Sequence, residues 1–188
     1  MRQVGAGATV TAALAASIAL PVAPPAVPGL APAARAGTGM TLVPLRDDTL
    51  TITVPGSVNL GSGSRSSAIS ASMGTVTVAD FRPGVLSWTA TVSATNFTTG
   101  SGTPTQTITT ANVAYWSGPV TGSSGAGTRN PGQLTAAQQV PLSSPVTAFS
   151  GRKTVGPMST NWQPTLVITI PANAAAGVYT GTITHSVA

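Results

Sequence analysis

The chain has 188 residues, a formal net charge of +5 and no cysteine. Without cysteine there is no disulfide to hold the fold, and a single histidine with three acidic residues falls short of the usual zinc or iron ligand sets. Charged residues make up only 6% of the chain, and the basic ones stand singly apart from Arg152-Lys153; nucleic-acid binders cluster them on one face or element, so a DNA or RNA partner is excluded.

The first thirty-six residues differ in texture from the rest. Met1-Arg2 supplies positive charge, Val4 to Leu20 (VGAGATVTAALAASIAL) is uncharged and apolar, and a Pro-rich stretch ends in Ala34-Arg35-Ala36. That order is the signature of a secretory signal peptide, here residues 1–36. Ala31-Pro32-Ala33 offers a second cleavage site. An uncleaved membrane anchor is the rival reading, but the run only matches the shortest spanning helix. We expect a secreted protein with no integral membrane span after cleavage, a short lead-in over 37–48, and one domain over 49–188. The chain ends on a strand with no sorting signal, so any surface attachment is expected to be non-covalent.

The domain reads as short strands separated by Gly, Pro and Ser. Thr49–Val54 (TLTITV) alternates, with Leu50, Ile52 and Val54 on one face, and Ser57–Leu60 reads as a short continuation after Pro55-Gly56. Gly61–Ser72 reads as a flexible loop. Gly74–Ala79 (GTVTVA) is a second strand with Val76 and Val78 facing in. The turn Arg82-Pro83-Gly84 leads into Trp88–Thr95, with Trp88, Ala90, Val92 and Ala94 on one face and Thr and Ser on the other. Thr99–Pro104 is a turn, and Asn112–Trp116 is the best strand within Thr105–Trp116. Gly118–Gln133 reads as a long loop, Leu134–Val140 as a single helical turn, and Pro145–Ser150 as a short strand. A strong strand follows Pro164 within Asn161–Ile170, Pro171–Gly177 turns, and Val178–Val187 closes, with Tyr179, Ile183, His185 and Val187 sharing a face. Period-two alternation with frequent turn signals predicts an all-β fold, a single antiparallel β-sandwich of immunoglobulin-like or Greek-key type.

Catalytic chemistry is thinly supplied. His185 is the only histidine, and a hydrolytic triad would need Asp47, Asp48 or Asp80 to orient it. No Gly-x-Ser-x-Gly elbow is present, and His185 falls on the apolar parity of the last strand, so it reads as a buried strand residue. Asp47-Asp48 reads as a solvated turn and Asp80 as the partner of Arg82, rather than as glycosidase carboxylates. The aspartates lack EF-hand spacing, so no metal or cofactor is expected. Threonine ladders, used by ice-binding proteins, follow here from β-propensity alone. Asn96-Phe97-Thr98 matches a glycosylation sequon. Among the large side chains, Trp88 and Tyr179 lie on inward parities. Adjacent Tyr115 and Trp116 must face opposite sides, so one of them is free to stack on a sugar ring. A lectin-like module using Tyr115, Trp116 and Trp162 is therefore one reading, and a small hydrolase using His185 another.

Four segments carry a family likeness: VPGSVNLG (54–61), GTVTVADFR (74–82), SWTATVSATNF (87–97) and LVITIPANAAAGVYTGTITHSV (166–187). Together they resemble the WxL-domain surface proteins of Gram-positive bacteria, in the form found in high-GC species. Trp88 matches the first Trp-x-Leu motif, with Ala90 in place of Leu. Tyr179 matches the last strand, with His185 and Val187 in place of Trp and Leu. The resemblance implies an exported domain, not an enzyme, held non-covalently on the cell wall through peptidoglycan or beside other surface proteins. It also implies that His185 pairs with Trp88 across the sandwich; with Tyr115, Trp116 and Trp162 from the lectin-like reading, the matched Trp88, Tyr179 and His185 make up the candidate wall- or ligand-binding residues.

Overall fold

The computed structural model describes residues 48–188, so the expected signal peptide and nearly all of the lead-in lie outside it. Twelve strands run in order: β1 (Leu50–Thr53), β2 (Ala68–Ser72), β3 (Val76–Asp80), β4 (Ser87–Ala94), β5 (Phe97–Thr98), β6 (Thr107–Ile108), β7 (Val113–Trp116), β8 (Val120–Pro131), β9 (Val140–Pro141), β10 (Val146–Trp162), β11 (Thr165–Thr169) and β12 (Ile183–Val187). Every pairing is antiparallel. A six-stranded sheet holds β1, β3, β10, β4 and β12 with β8 on the far side of β10, and a four-stranded sheet runs β2-β11-β7-β9. Three short 3-10 turns, one of them Ala136–Gln138 where a helical turn is expected, complete the described residues.

β10 is the spine. Along one edge it pairs first with β4, from Val146↔Val92 to Arg152↔Ser87, and then with β3, from Met158↔Asp80 to Trp162↔Val76. β3 and β4 therefore lie end to end as one strand interrupted at 81–86, with β1 and β12 on their outer side. The other edge of β10 carries β8 from Phe149↔Pro131 to Trp162↔Val120, with register shifts around Val155. Gly125 makes this possible: it sits at φ +75°, and a Cβ there would collide with the Pro157 carbonyl. Glycine alone takes that backbone without strain and allows so close an approach.

One core joins the two sheets. Val76, Val78, Trp88, Val92, Phe149 and Trp162 come from the six-stranded sheet, and Val113, Tyr115, Leu166 and Ile168 from the four-stranded one. Trp88 stacks on Phe149 at 6.4 Å between ring centroids, and Phe149 stacks on Trp162 at 4.8 Å. Each such ring removes roughly 150–250 Å² from water, worth about 4–6 kcal/mol of burial. With no disulfide available, this aromatic row is a main source of stability. Trp88 needs room, and its cross-strand partner Gly151 leaves it: a Cβ on Gly151 would meet Trp88 Cζ2, Cε2 and Nε1 at 2.5, 2.6 and 2.8 Å.

The alternating segments form strands where expected, with Ile52, Val76, Val78, Trp88, Ala90 and Val92 all buried. Five segments differ. Ser57–Leu60 has no regular structure, whereas Ala68–Ser72, within the expected loop, is β2. The Gly/Ser-rich stretch expected as a loop is the twelve-residue β8. It is held through its backbone to β10, through a Ser124–Ser159 hydroxyl contact of 2.8 Å, and through Arg129, which donates to the Ser124, Gly125 and Ser159 carbonyls. The short strand expected at Pro145–Ser150 runs on to Trp162, and the break falls at Gln163-Pro164, where proline lacks the ladder N–H. The closing strand starts only at Ile183, after an isolated Thr98–Thr180 bridge. Among the described residues no helix is long and apolar enough to cross a membrane.

Candidate functional site

At one edge of the sandwich the two sheets part around a cleft of about 130 Å³. Apolar side chains line part of it: Val76 and Ile183 from the six-stranded sheet, Leu166 from the four-stranded one, and Met73 just after β2. The segment 54–60, which leaves β1 and forms no strand, straps the cleft with Val54 and Leu60 turned toward it. Gly56, Ser57 and Thr182 are exposed residues at its mouth, and no charged side chain lines it. His185 belongs to its lining and is 3% exposed.

The polar atoms beneath the cleft form a chain. Trp162 Nε1–H donates to Tyr115 Oη at 3.4 Å, and Tyr115 Oη lies 3.4 Å from His185 Nε2. An indole can only donate, so the phenol accepts from Trp162, and its contact with His185 Nε2 joins two groups that can each donate or accept. The imidazole is neutral because burial pushes its pKa down to about 4. Burial also raises the Tyr115 phenol, only partly offset by the Trp162 hydrogen bond, so it too stays protonated.

The expected residues thus divide. Trp88, Tyr115 and Trp162 are core, at 2%, 0% and 0% exposure. The sugar-stacking platform of Tyr115, Trp116 and Trp162 is therefore not assembled. Parity correctly separates Tyr115 from Trp116: the first is sealed, and the second is half-buried beside Gly118. Tyr179 is half-buried and lies outside the closing strand. Its hydroxyl donates to the Thr105 and Ala175 carbonyls, at 3.1 and 2.9 Å, and ties a loop rather than facing a ligand. His185 does not pair with Trp88 across the sandwich. The two stand on neighbouring strands of one sheet, and the ring opposite His185 is Tyr115, at 5.8 Å. Among the described residues no carboxylate is paired with His185.

A second polar cluster sits where β3 breaks from β4. Asp80 is fully buried and takes a two-point contact from Arg82, Nε at 3.0 Å and Nη2 at 2.9 Å, with the Arg82 backbone N–H at 3.1 Å. The local Asp80–Arg82 pairing expected from spacing is present. Spacing gave no sign of Lys153, whose ammonium is also fully buried, 3.3 Å from Asp80 Oδ1. Burial works to raise the Asp80 carboxyl, but the hydrogen bonds and charge of Arg82, helped by Lys153, outweigh it and hold the carboxyl below its ordinary value. Arg82 also donates to the Ser87 carbonyl at 3.0 Å, so the cluster clamps both ends of the interruption. Its position and saturation make it structural. Among the described residues no three metal-ligating side chains converge.

No protein-family model matches this chain, and neither does any curated protein or any solved structure.

Proposed function

We propose that this chain is an exported β-sandwich that associates non-covalently with the cell wall and acts by binding, without catalysis, through the His185 cleft. The observation that carries this reading is the cleft itself: an uncharged opening between the sheets, lined by apolar side chains and by polar groups that include His185. Such a concave site without a charged side chain suits a neutral ligand. The ionisable side chains nearby do not favour a reaction. Asp80 is committed to Arg82 and Lys153, and among the described residues the neutral His185 has no carboxylate beside it to orient it as a hydrolytic base. The signal-peptide pattern of residues 1–36 and the resemblance to wall-bound surface domains support the location.

Sedimentation with purified Gram-positive cell walls tests the proposal. Wall binding through the cleft leaves the protein in the pellet at 1 M salt, where charge interactions are screened beyond about 3 Å. A pellet lost on adding salt would reduce the association to net positive charge. No pellet at any salt would remove the wall from the account.

A further inference from the structure

We infer that the interruption between β3 and β4 is a docking tip for an anionic lipid surface, with Val85, Leu86 and Val155 entering the headgroup layer and Arg152 held against the phosphates. None of these residues lines the His185 cleft, and the site does not depend on the wall-binding reading. Six large apolar side chains are exposed among the described residues, and three of them are Val85 at 53%, Leu86 and Val155 at 73%. The register brings these three to one place. β4 ends its pairing with β10 at Arg152↔Ser87, β3 takes over at Met158↔Asp80, and the Lys153 N–H donates to the Leu86 carbonyl at 3.0 Å. Segment 81–86 and β10 residues 154–157 therefore leave the ladder opposite each other. Each excursion turns on a glycine in the left-handed region, Gly84 at φ +84° and Gly156 at φ +68°, and a Cβ on either would meet nothing within 4 Å. Both turns stand clear of the protein. Exposed apolar groups gathered in this way mark a contact with a protein or a membrane, and the chemistry favours the membrane. The exposed apolar side chains are all aliphatic, without the aromatic anchors that centre a protein interface. One ladder rung back stands Arg152, exposed and with no ion-pair partner among the described residues. Arg82 beside it is partly exposed. Of the described acidic side chains, Asp80 is buried in its pairing with Arg82 and Lys153, which leaves only Asp48 exposed. Aliphatic tips with cations one step behind match a bilayer whose hydrocarbon lies under anionic headgroups. A second copy fits less well, because a two-fold contact through this tip would bring the arginines of both copies together.

Environment-sensitive fluorescence on lipid vesicles tests the inference. The chain has no cysteine, so a label on Val155→Cys reports this tip alone, whatever residues 1–36 do. Val178→Cys is the control: it is 81% exposed but lies next to the Thr98–Thr180 bridge, beyond the opposite end of β4. Vesicles of mixed phosphatidylglycerol and phosphatidylcholine are expected to shift the Val155 label to the blue and to leave the Val178 label unchanged. Phosphatidylcholine alone should bind more weakly, by about fivefold for each arginine that meets the surface. In the labelled protein Arg152→Gln should weaken binding about fivefold, and Val85→Ser about tenfold at unchanged thermal stability. Ser57→Trp, which fills the mouth of the His185 cleft from an exposed position, should bind vesicles as the parent does. Equal shifts of the two labels, equal binding to both lipid compositions, or full binding by the folded Val85→Ser variant overturns the inference. So does an absence of vesicle binding. A shift of the Val155 label on raising the protein concentration without lipid would overturn it by assigning the tip to a second copy.

Discussion

Gly151→Ala is the sharpest perturbation of the fold. Gly151 is not in the left-handed region, so alanine's backbone preferences cost nothing there. The penalty is steric. The new methyl would lie 2.5–2.8 Å from three atoms of the Trp88 indole, well inside the normal separation of about 3.5–4.0 Å. Trp88 cannot retreat, because it is 2% exposed and stacked on Phe149. Overpacking of this kind costs about 1–3 kcal/mol, and the depth of the overlap places it near 3. For a chain of this size that lowers Tm by roughly 6–12 °C. The assay is urea unfolding of four proteins: the parent, Gly151→Ala, Trp88→Leu and the double variant. Leucine lacks all three contacted indole atoms, so Trp88→Leu is expected to cost about 2–4 kcal/mol by cavity formation and to leave space for the methyl. The double variant should then be about 2 kcal/mol more stable than the sum of the single changes implies. Additivity within about 0.5 kcal/mol, or a harmless Gly151→Ala, would refute the claim that Gly151 exists to seat Trp88.

Three further outcomes follow from the buried polar groups and the strand ribbon. Asp80→Asn strands the buried Lys153 ammonium and should cost about 3–5 kcal/mol, whereas Lys153→Met leaves the Asp80–Arg82 pair intact and should change stability by less than about 1 kcal/mol; the reverse order in urea unfolding would contradict the assignment. His185 is harder to protonate folded than unfolded, so the unfolded chain binds the extra proton first and stability falls as pH drops from about 6.5 toward 4. A displacement from 6.5 to about 4 is worth about 3 kcal/mol in all. His185→Gln should flatten that window and keep the further loss below about pH 4, where the unfolded chain takes up a proton on Asp80 before the depressed folded carboxyl does. A parent profile already flat between pH 4 and 6.5 would contradict the burial of His185. Gly125→Ala should unfold the protein or cost more than about 3 kcal/mol, since both its positive φ and the Pro157 carbonyl oppose a side chain; thermal melting reads this directly.

The all-β architecture was legible because most of its core strands alternate. Ile52, Val76, Val78, Trp88 and Val92 announce their burial through period two alone. β8 was not, because its sequence, VTGSSGAGTRNP, contributes backbone and little side-chain burial, and a strand held by its ladder leaves no hydrophobic pattern to read. The length of β10 was hidden by Gly151, Gly156 and Pro157, which are turn signals in isolation but here mark close packing and a bulge. Lys153 could not be assigned because its partner lies on another strand, and nothing in Arg152-Lys153 distinguishes a buried cation from a solvated one. The candidate site was half legible. Parity placed His185 inward and separated Tyr115 from Trp116, whereas the cleft depends on where segment 54–60 crosses the sandwich edge, a tertiary fact. Trp162 read as a binding aromatic and proved to be core for the same reason.

The most direct test of the central claim is a saturation isotherm of the purified protein on Gram-positive cell walls at 1 M salt, run beside the Ser57→Trp variant. The account expects saturable retention by the parent protein, at least tenfold weaker retention by the variant at equal thermal stability, and no soluble wall fragments released by either. Equal retention of the two proteins, or release of fragments by the parent, would contradict a non-catalytic domain that holds the wall through the His185 cleft.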